Sequence, residues 1–269
     1  MTPLLARRTS PQVAAEAHRA TLVIPVGATE QHGPHLPVWL DSLMAEHVAQ
    51  QAARRVHERS GQPILVAPLI SYGSSHHHLP RAGTLSLRST TLHAVLDDLL
   101  DSAADGGFRS LVLLNGHGGN QDIVHQAVRD LTVRRDVRAA ATSYWTPAWE
   151  RLVDAAAAHG VGPLPGHAGS FETSIALYLW PDLVDAARVP DAPVTGEWDT
   201  RHPLSQPVVE QHDWVHRLGG YSDGAVASAA AGRSFTEEII TGVAAFLERF
   251  CADAPAADTE DGDEPGCDV

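Results

Sequence analysis

The sequence contains no lysine, and arginine supplies all 19 of its Lys/Arg residues. They are outnumbered by 33 acidic residues, and the formal net charge of −14 argues against nucleic acid or an anionic membrane as a partner. Cysteine is scarce: Cys251 and Cys267 lie near the carboxyl end, which excludes a disulfide framework and a thiolate metal site. No apolar run approaches the ~18 residues that crossing a membrane requires, and no signal peptide is recognisable. We therefore expect a cytoplasmic protein.

Residues 1–251 are predicted to form one domain. They show no internal repeat and no break in composition, and 43% of the sequence is hydrophobic, which is enough for a sizeable core. Residues 252–269 carry seven carboxylates and no basic residue. This composition is typical of a disordered acidic tail.

Hydrophobic patterns predict an α/β fold. Short, nearly continuous apolar runs suit strands that are covered on both faces of a parallel sheet. Such runs occupy residues 21–27, 64–70, 110–116 and, more weakly, 137–145. Helical patterns occupy residues 41–58, 89–105, 121–134, 170–180 and 234–250, the last with Ser234 as its predicted cap. This alternation predicts a single three-layer domain with a mainly parallel central sheet.

Polar clusters coincide with the ends of the predicted strands. The stretch "ATEQHGPH" begins where the first strand ends, "YGSSHHHLPRAG" follows the second, "NGHGGN" overlaps the end of the third and "SYW" ends the fourth. The carboxyl ends of parallel strands lie along one edge of a sheet, where ligand sites form. Four clusters that are distant in sequence are therefore expected to meet on one rim.

The first cluster contains side chains that suit a metal ion. Glu30 and His32 are two positions apart, so both point to the same side of an extended segment. Asp41 follows a turn shaped by glycine and proline, at the start of a helix, where the helix dipole favours a carboxylate. Two carboxylates and an imidazole suit Zn²⁺, Mn²⁺ or Fe²⁺. The alternative is a strand-to-helix loop with solvated charges and an aspartate cap.

Two further clusters supply candidate site residues. "NGHGGN" contains His117, and Gly118 and Gly119 permit the close approach of a ligand or another segment. The alternative for this stretch is a glycine-rich turn that cradles an anion at a helix start. "GHAGSFETS" contains His167 and Glu172, and a helix start would hold Glu172 rigidly.

The sequence also offers residues for the wall of a pocket. One or two of the three histidines in "SSHHHLP" are predicted to face it, with His77 and His78 as the candidate substrate-binding residues; a polar loop is the alternative. Trp145 belongs either to the core or to the pocket wall. His212 and His216 have i, i+4 spacing that suits a metal ion, but no carboxylate pattern accompanies them.

Five motifs in the same order resemble those of the creatininase family of metal-dependent amidohydrolases. They are "PVGATEQHGPHLPVWLD", "GSSHHHLPRAGTLSL", "LLNGHGGN", "HAGSFETS" and "GGYSDGAVASAAAGR". The likeness covers roughly residues 20–250, which is nearly the whole chain outside the tail. It implies a site with two divalent metal ions on the rim of an α/β sheet, in a homohexamer.

The resemblance implies a role for each predicted ligand. Glu30 and His32 would bind different ions, and Asp41 would bridge the pair. His117 would complete the protein ligands of the first ion, and Glu172 would supply the remaining ligand. Zn²⁺ is the first expectation, with Mn²⁺ or Fe²⁺ as alternatives.

The sequence also departs from the family's motifs. His167 matches a histidine implicated in proton transfer, but Gly119 stands where creatininase itself has a glutamate ligand. Arg81 and Ala82 replace a Phe-Pro pair, which places a cation near the pocket. Trp145, in contrast, resembles a tryptophan that walls the pocket of creatininase. These signals conflict over creatinine as the substrate.

We expect the protein to hydrolyse a linear or cyclic amide bond other than an ordinary peptide bond. A hydroxide activated by the two ions would attack the carbonyl of a small-molecule amide. His167 would donate a proton to the leaving nitrogen, and backbone N–H groups of Gly118 and Gly119 would assist the oxyanion. The alternatives are a peptidase or an N-formyl deformylase that acts on a modified metabolite or peptide, a non-catalytic metal-binding protein, and a phosphate-ester hydrolase.

Overall fold

The computed structural model describes residues 3–162, 164–190 and 224–252. Within them the strands are β1 (Thr21–Val26), β2 (Ile64–Val66), β3 (Ser110–Asn115) and β4 (Arg138–Ser143). The helices are α1 (Ser10–Glu16), α2 (Leu40–Ser60), α3 (Ser89–Asp105), α4 (Gln121–Arg134), α5 (Trp149–His159), α6 (Ser170–Leu179) and α7 (Ala229–Ala252).

The four strands form one parallel sheet in the order β2-β1-β3-β4. β1 connects through α2 to β2 on one side, and the chain then returns past β1 to β3 on the other side. The strand order therefore reverses between β1 and β3. Ligand sites of open α/β sheets form outside the carboxyl ends of the strands at such a switch point.

Helices cover both faces of the sheet, because its strands are apolar on both sides. In β3, Val112 and Leu114 point into one core cluster, whereas Leu111 and Leu113 point into the other. The first cluster packs against α2, α5, α6 and α7, and the second against α1, α3 and α4. The predicted α/β architecture, with a parallel sheet between helical layers, is confirmed.

Several boundaries differ from the sequence prediction. The second strand ends at Val66 rather than at residue 70, because Pro68 has no N–H to continue the ladder; Ala67 and Ile70 still donate to carbonyls of β1. The last helix begins at Ala229, so the prediction of Ser234 as its cap was wrong. Instead, the hydroxyl of Ser228 accepts the N–H of Ala231.

Some predictions fall outside the described residues or remain untested. The acidic residues 253–269 and the pair His212 and His216 are not among the residues described. The division into one domain and a tail stays a prediction. In the described part of the chain, no helix combines the length and apolar character that a membrane span needs.

Candidate metal centre

The five predicted ligands meet at the carboxyl edge of the sheet. Glu30 and His32 follow β1, His117 follows β3, Asp41 lies in the first turn of α2, and Glu172 lies in the first turn of α6. All are buried, with relative exposures between 1% for Glu30 and 7% for Glu172. Ionisable side chains are rarely buried to this degree without partners that compensate their charge.

Asp41 lies between two imidazole rings. Its Oδ1 is 3.2 Å from Nε2 of His32, and its Oδ2 is 3.0 Å from Nδ1 of His117. Glu30 contacts the same His117 ring and one further ring, with Oε2 3.3 Å from Nε2 of His117 and Oε1 3.3 Å from Nδ1 of His167. The two carboxylates are thus surrounded by histidine nitrogens.

Among the residues that the structure describes, there are three sets of side chains within each of which the ligand atoms lie within 4.8 Å of one another. They are Glu30, His77 and His117; His32, Asp41 and Glu172; and Glu30, His32 and His167. The first two sets share no residue, and Asp41 contacts an imidazole from each of them. The described residues thus offer two groups of potential ligands that share no side chain and that Asp41 connects.

Hydrogen bonds fix which nitrogen of each ring faces the carboxylates. Nδ1 of His32 lies 2.9 Å from the carbonyl oxygen of Glu30, and Nε2 of His167 lies 2.9 Å from that of Gln31. A carbonyl oxygen only accepts, so these nitrogens carry protons, and the second nitrogen of each ring faces a carboxylate oxygen. In a neutral ring that second nitrogen carries the lone pair, which can accept a proton or bind a cation. Histidine ligands of metals are held in the same way, by a bond from the far N–H.

Four buried atoms of the cluster contact other cluster side chains at 3.0–3.3 Å, but none of these contacts among the described residues has hydrogen-bond geometry. They are both carboxylate oxygens of Glu30, Nε2 of His32 and Oδ2 of Asp41. A buried polar atom without a partner costs about 1–3 kcal/mol. Divalent cations bound between these side chains would compensate such atoms, and oxygen and imidazole donors suit Zn²⁺, Mn²⁺ and Fe²⁺. The residues present therefore fit a divalent metal site.

The ionisation of the cluster reflects its burial. Burial raises the pKa of Glu30 and of Glu172 to about 7. Burial alone would lower the pKa of His32 and His117, but Asp41 raises that of His32 to about 10, and Glu30 with Asp41 raises that of His117 to about 9. Despite its own burial, Asp41 has a pKa far below its usual range because of the same two imidazoles. Without a metal, the cluster therefore holds protons that a cation would displace.

Two buried asparagines position the loops that carry the ligands, and the sequence analysis missed both. Asn115 accepts the N–H of His117 at 3.0 Å and donates to the carbonyl of His117 at 2.7 Å. Asn120 accepts the N–H of Ser74 at 2.8 Å and donates to the carbonyl of Gly27 at 3.0 Å. They flank the glycines of "NGHGGN", and that position within the motif was the signal available.

Gly119 is required by the close approach of the loop after β2. A Cβ built at this position would lie 2.3 Å from the carbonyl oxygen of Ser74 and 2.6 Å from Nε2 of His117. A Cβ at Gly118 would meet nothing within 4 Å. A glutamate at position 119 therefore does not fit here, whereas Glu172 reaches the cluster from α6.

His77 and His78 lie at the same cluster. The ring of His77 stacks on His117 with centroids 5.9 Å apart. His78 is buried between Glu30, whose Oε1 is 3.2 Å from its Nε2, and the side-chain amide of Gln31, which donates to its Nδ1 at 2.8 Å. Burial lowers the pKa of His77 to about 4 and holds that of His78 and His167 well below the usual value.

Trp145 is buried in the core cluster that contains α2 and α7. Its ring meets the edge of Tyr144 at a centroid distance of 4.9 Å, and its exposure is 4%. Its indole Nε1 has no hydrogen-bond partner within the described ranges. The backbone N–H of Arg81 donates to the carbonyl of His78, which places Arg81 one turn after the histidines.

The fold and this cluster define an α/β protein with a candidate metal site, and comparisons with known proteins identify its family. Residues 6–247 match the creatininase family, described as creatinine amidohydrolase. The chain belongs to the creatininase family. Over 233 residues it is 33% identical to a mycofactocin precursor peptide peptidase of Mycobacterium ulcerans. The aligned residues make up 86% of this chain and 85% of that relative. Over 192 residues it is 36% identical to creatinine amidohydrolase of Pseudomonas putida, and the aligned residues make up 64% of this chain and 69% of that relative.

Solved creatininase structures share the fold. A creatininase with manganese superposes with a TM-score of 0.75 and 28% identity over 93% of this chain and 98% of that chain. A mutant creatininase of the Zn–Zn type gives a TM-score of 0.74 and 29% identity over 93% and 98%. Creatininases of this fold therefore occur with manganese and with a pair of zinc ions.

Proposed function

We propose that this protein is a metal-dependent amidohydrolase that uses two divalent ions. The observation that carries the proposal is the burial of Glu30 and Asp41 against imidazole nitrogens, with carboxylate oxygens that lack hydrogen-bond partners among the described residues. Such an arrangement is costly in a protein without a cation. Zn²⁺ is the first choice of metal, with Mn²⁺ or Fe²⁺ as alternatives.

The proposed ligands are the five residues that the sequence predicted. Glu30 and His117 would hold the first ion, His32 and Glu172 the second, and Asp41 would bridge the pair. One oxygen of Asp41 contacts His32 and the other contacts His117, which belong to different ligand sets. These contacts support the proposal that Asp41 bridges the two ions. The N–H of Ala168 donates to Oε2 of Glu172 at 2.6 Å and so orients this carboxylate.

His167 is the proposed proton carrier. When bound, the ions would supply Lewis acidity and a water of lowered pKa. His167 stands beside Glu30, and its pKa is well below the usual value because of burial and the neighbouring His32, so it begins neutral. A neutral imidazole takes the proton that an attacking water releases and passes it to the amide nitrogen. The nitrogen needs that proton because an amide anion is a poor leaving group.

The substrate-binding part of the proposal involves the residues around the cluster. His77 and His78 would line the substrate side, and Trp145 would support it from the core. Gly118 borders open space, and its backbone N–H, with that of Gly119, would be available to a developing oxyanion. We also propose a homohexamer, for which light scattering should give six times the 28.7 kDa mass of one chain.

A second candidate for the substrate is an amide bond in a short peptide. The similarity to a mycofactocin precursor peptide peptidase extends over 86% of the chain, compared with 64% for the creatinine amidohydrolase. Position 119 has no space for the glutamate of creatininase, and this also favours a peptide substrate over creatinine. A small-molecule amide remains the first candidate class, and a single panel of substrates compares the two.

The experiment combines metal analysis with hydrolysis of creatinine, an N-formyl compound, short peptides and a generic phosphate ester. The purified protein should contain two ions per chain and hydrolyse at least one amide. Asp41→Asn should lose both metal and turnover, whereas Asp136→Asn, which alters an exposed aspartate, should keep both. Metal without hydrolysis of any amide would favour a binding protein, and hydrolysis of the phosphate ester alone would contradict the proposal.

A further inference from the structure

A second cluster of charged residues lies at the opposite edge of the sheet. A cavity of about 180 Å³ opens there, and its wall includes Pro63, just before β2, and Ile64, the first residue of β2. Its charged and titratable lining residues are Arg8, Glu16, Arg19, Arg54 and His57. The metal centre follows the carboxyl ends of the strands, and six-residue β1 alone spans roughly 20 Å. The two sites are therefore separate.

The arginine cavity, defined by Arg8, Arg19, Arg54 and His57, has an excess of positive charge. Glu16 is its acidic lining residue and lies 3.7 Å from Arg8. Three arginines and one glutamate give a formal charge of +2 with histidine neutral, on a protein whose net charge is −14. Within the described ranges, no ion pair joins Arg19 or Arg54 to an acidic side chain.

The end of helix α2 accounts for only part of this charge. α2 ends at Ser60, and its carboxyl end carries about half a negative charge, which favours nearby cations. Arg59, near the same end, is paired with Glu248 at 3.3 Å, and Arg55 is paired with Glu237 at 2.9 Å. Arg54 lies on the same helix but borders the cavity instead. Positive charge therefore remains at the cavity after the helix end is counted.

We propose that the arginine cavity binds an anionic group, a phosphate or a carboxylate. Guanidinium groups bind both through paired N–H donors. The cavity volume is smaller than the ~300–1,000 Å³ of sites for drug-sized ligands. It therefore suits a small anion or the anionic end of a longer molecule.

Two sources could supply this group. One is a free small anion, and the other is the acidic sequence 253–269 of the same chain. Cys251 Sγ, two residues before that sequence, lies 3.3 Å from the hydroxyl of Thr21, whose N–H donates to the carbonyl of Pro63 in the cavity wall. Attachment at such short range gives an effective concentration in the millimolar range.

The test uses inorganic phosphate as the probe, titrated at constant ionic strength and followed by phosphorus NMR. The full-length chain is compared with a full-length variant whose seven carboxylates after residue 252 are converted to amides. Each is also prepared with Arg54→Gln and, as a matched control from the same helix, with Arg59→Gln. Loss of one charge-assisted hydrogen bond weakens binding by about tenfold.

The proposal is supported if phosphate binds saturably, if Arg54→Gln weakens this binding about tenfold, and if Arg59→Gln leaves it unchanged. If the unmodified chain binds phosphate in this way, the source is a free anion. If only the amidated variant does, the chain's own acidic residues occupy the cavity. The proposal is overturned if neither chain binds phosphate, or if binding is indifferent to Arg54→Gln.

Discussion

Replacing Gly119 by alanine adds one methyl group where two loops are in contact. The new Cβ would lie 2.3 Å from the carbonyl oxygen of Ser74 and 2.6 Å from Nε2 of His117. Real Cβ contacts do not fall below 3.0 Å, so the loop after β2 must move by about 0.7 Å. Overpacking of this kind costs about 1–3 kcal/mol. For a domain of this size, that lowers Tm by roughly 2–12 °C.

The same displacement should weaken metal binding. The loop that moves carries the Ser74 carbonyl, which lies 3.3 Å from Nε2 of His117 and orients this proposed ligand. Changes to the groups that orient a ligand typically reduce metal affinity by about 10–100-fold. A competing chromophoric chelator measures the affinity for Zn²⁺, and differential scanning calorimetry measures Tm on the same samples.

Gly118→Ala is the matched control, because a Cβ there meets nothing within 4 Å and neither glycine has a positive φ. It should keep its zinc affinity within about twofold and its Tm nearly unchanged. Equal losses in both variants would show that the backbone of the turn, not the contact at Gly119, is responsible. Wild-type zinc affinity in Gly119→Ala would show that the contact with the Ser74 carbonyl does not position His117.

Three further predictions concern the same site. Asn120→Ala leaves the N–H of Ser74 and the carbonyl of Gly27 without their buried partner, so urea denaturation should show a loss of about 3 kcal/mol; an unchanged midpoint would contradict this. The pKa is raised from its ordinary value of 6.5 to about 10 for His32 and to about 9 for His117. Protonation of these rings therefore contributes its full stabilisation to the metal-free protein below pH 6.5, and this contribution is lost as pH rises through about 9 and 10. The Tm of metal-free protein should therefore fall over this range, and calorimetry at pH 8 should detect proton release on adding Zn²⁺. His167→Ala should keep both ions and lose about 10²–10⁴-fold in kcat, whereas loss of metal would make His167 a ligand.

The sequence was sufficient to predict the layers of the fold and the edge at which the site forms. Apolar runs located β1, β2 and β3, because residues buried on both faces of a parallel sheet must be apolar almost without interruption. The weaker run located β4, whose first four residues are only half-buried. Helix α5 was not predicted, since most of its residues are alanine or polar and only Leu152 and Ala156 are buried. The second strand was predicted too long because the effect of Pro68 on the ladder was overlooked.

The candidate site was predictable as a set of residues but not as an arrangement. Glu30, His32 and Asp41 lie within twelve positions, so their proximity follows from local geometry. The contacts of Asn120 with Gly27 and Ser74 join segments up to 93 residues apart, and no spacing rule predicts them. The same holds for Gln31, whose side chain contacts both His78 and His167.

Anomalous X-ray diffraction from zinc-loaded crystals, measured on both sides of the zinc absorption edge, counts the ions and locates their ligands. We predict two zinc peaks per chain, both within bonding distance of Asp41. One should also contact Glu30 and His117, and the other His32 and Glu172. A single peak, or peaks that leave Asp41 without a bond to metal, would contradict the two-ion site.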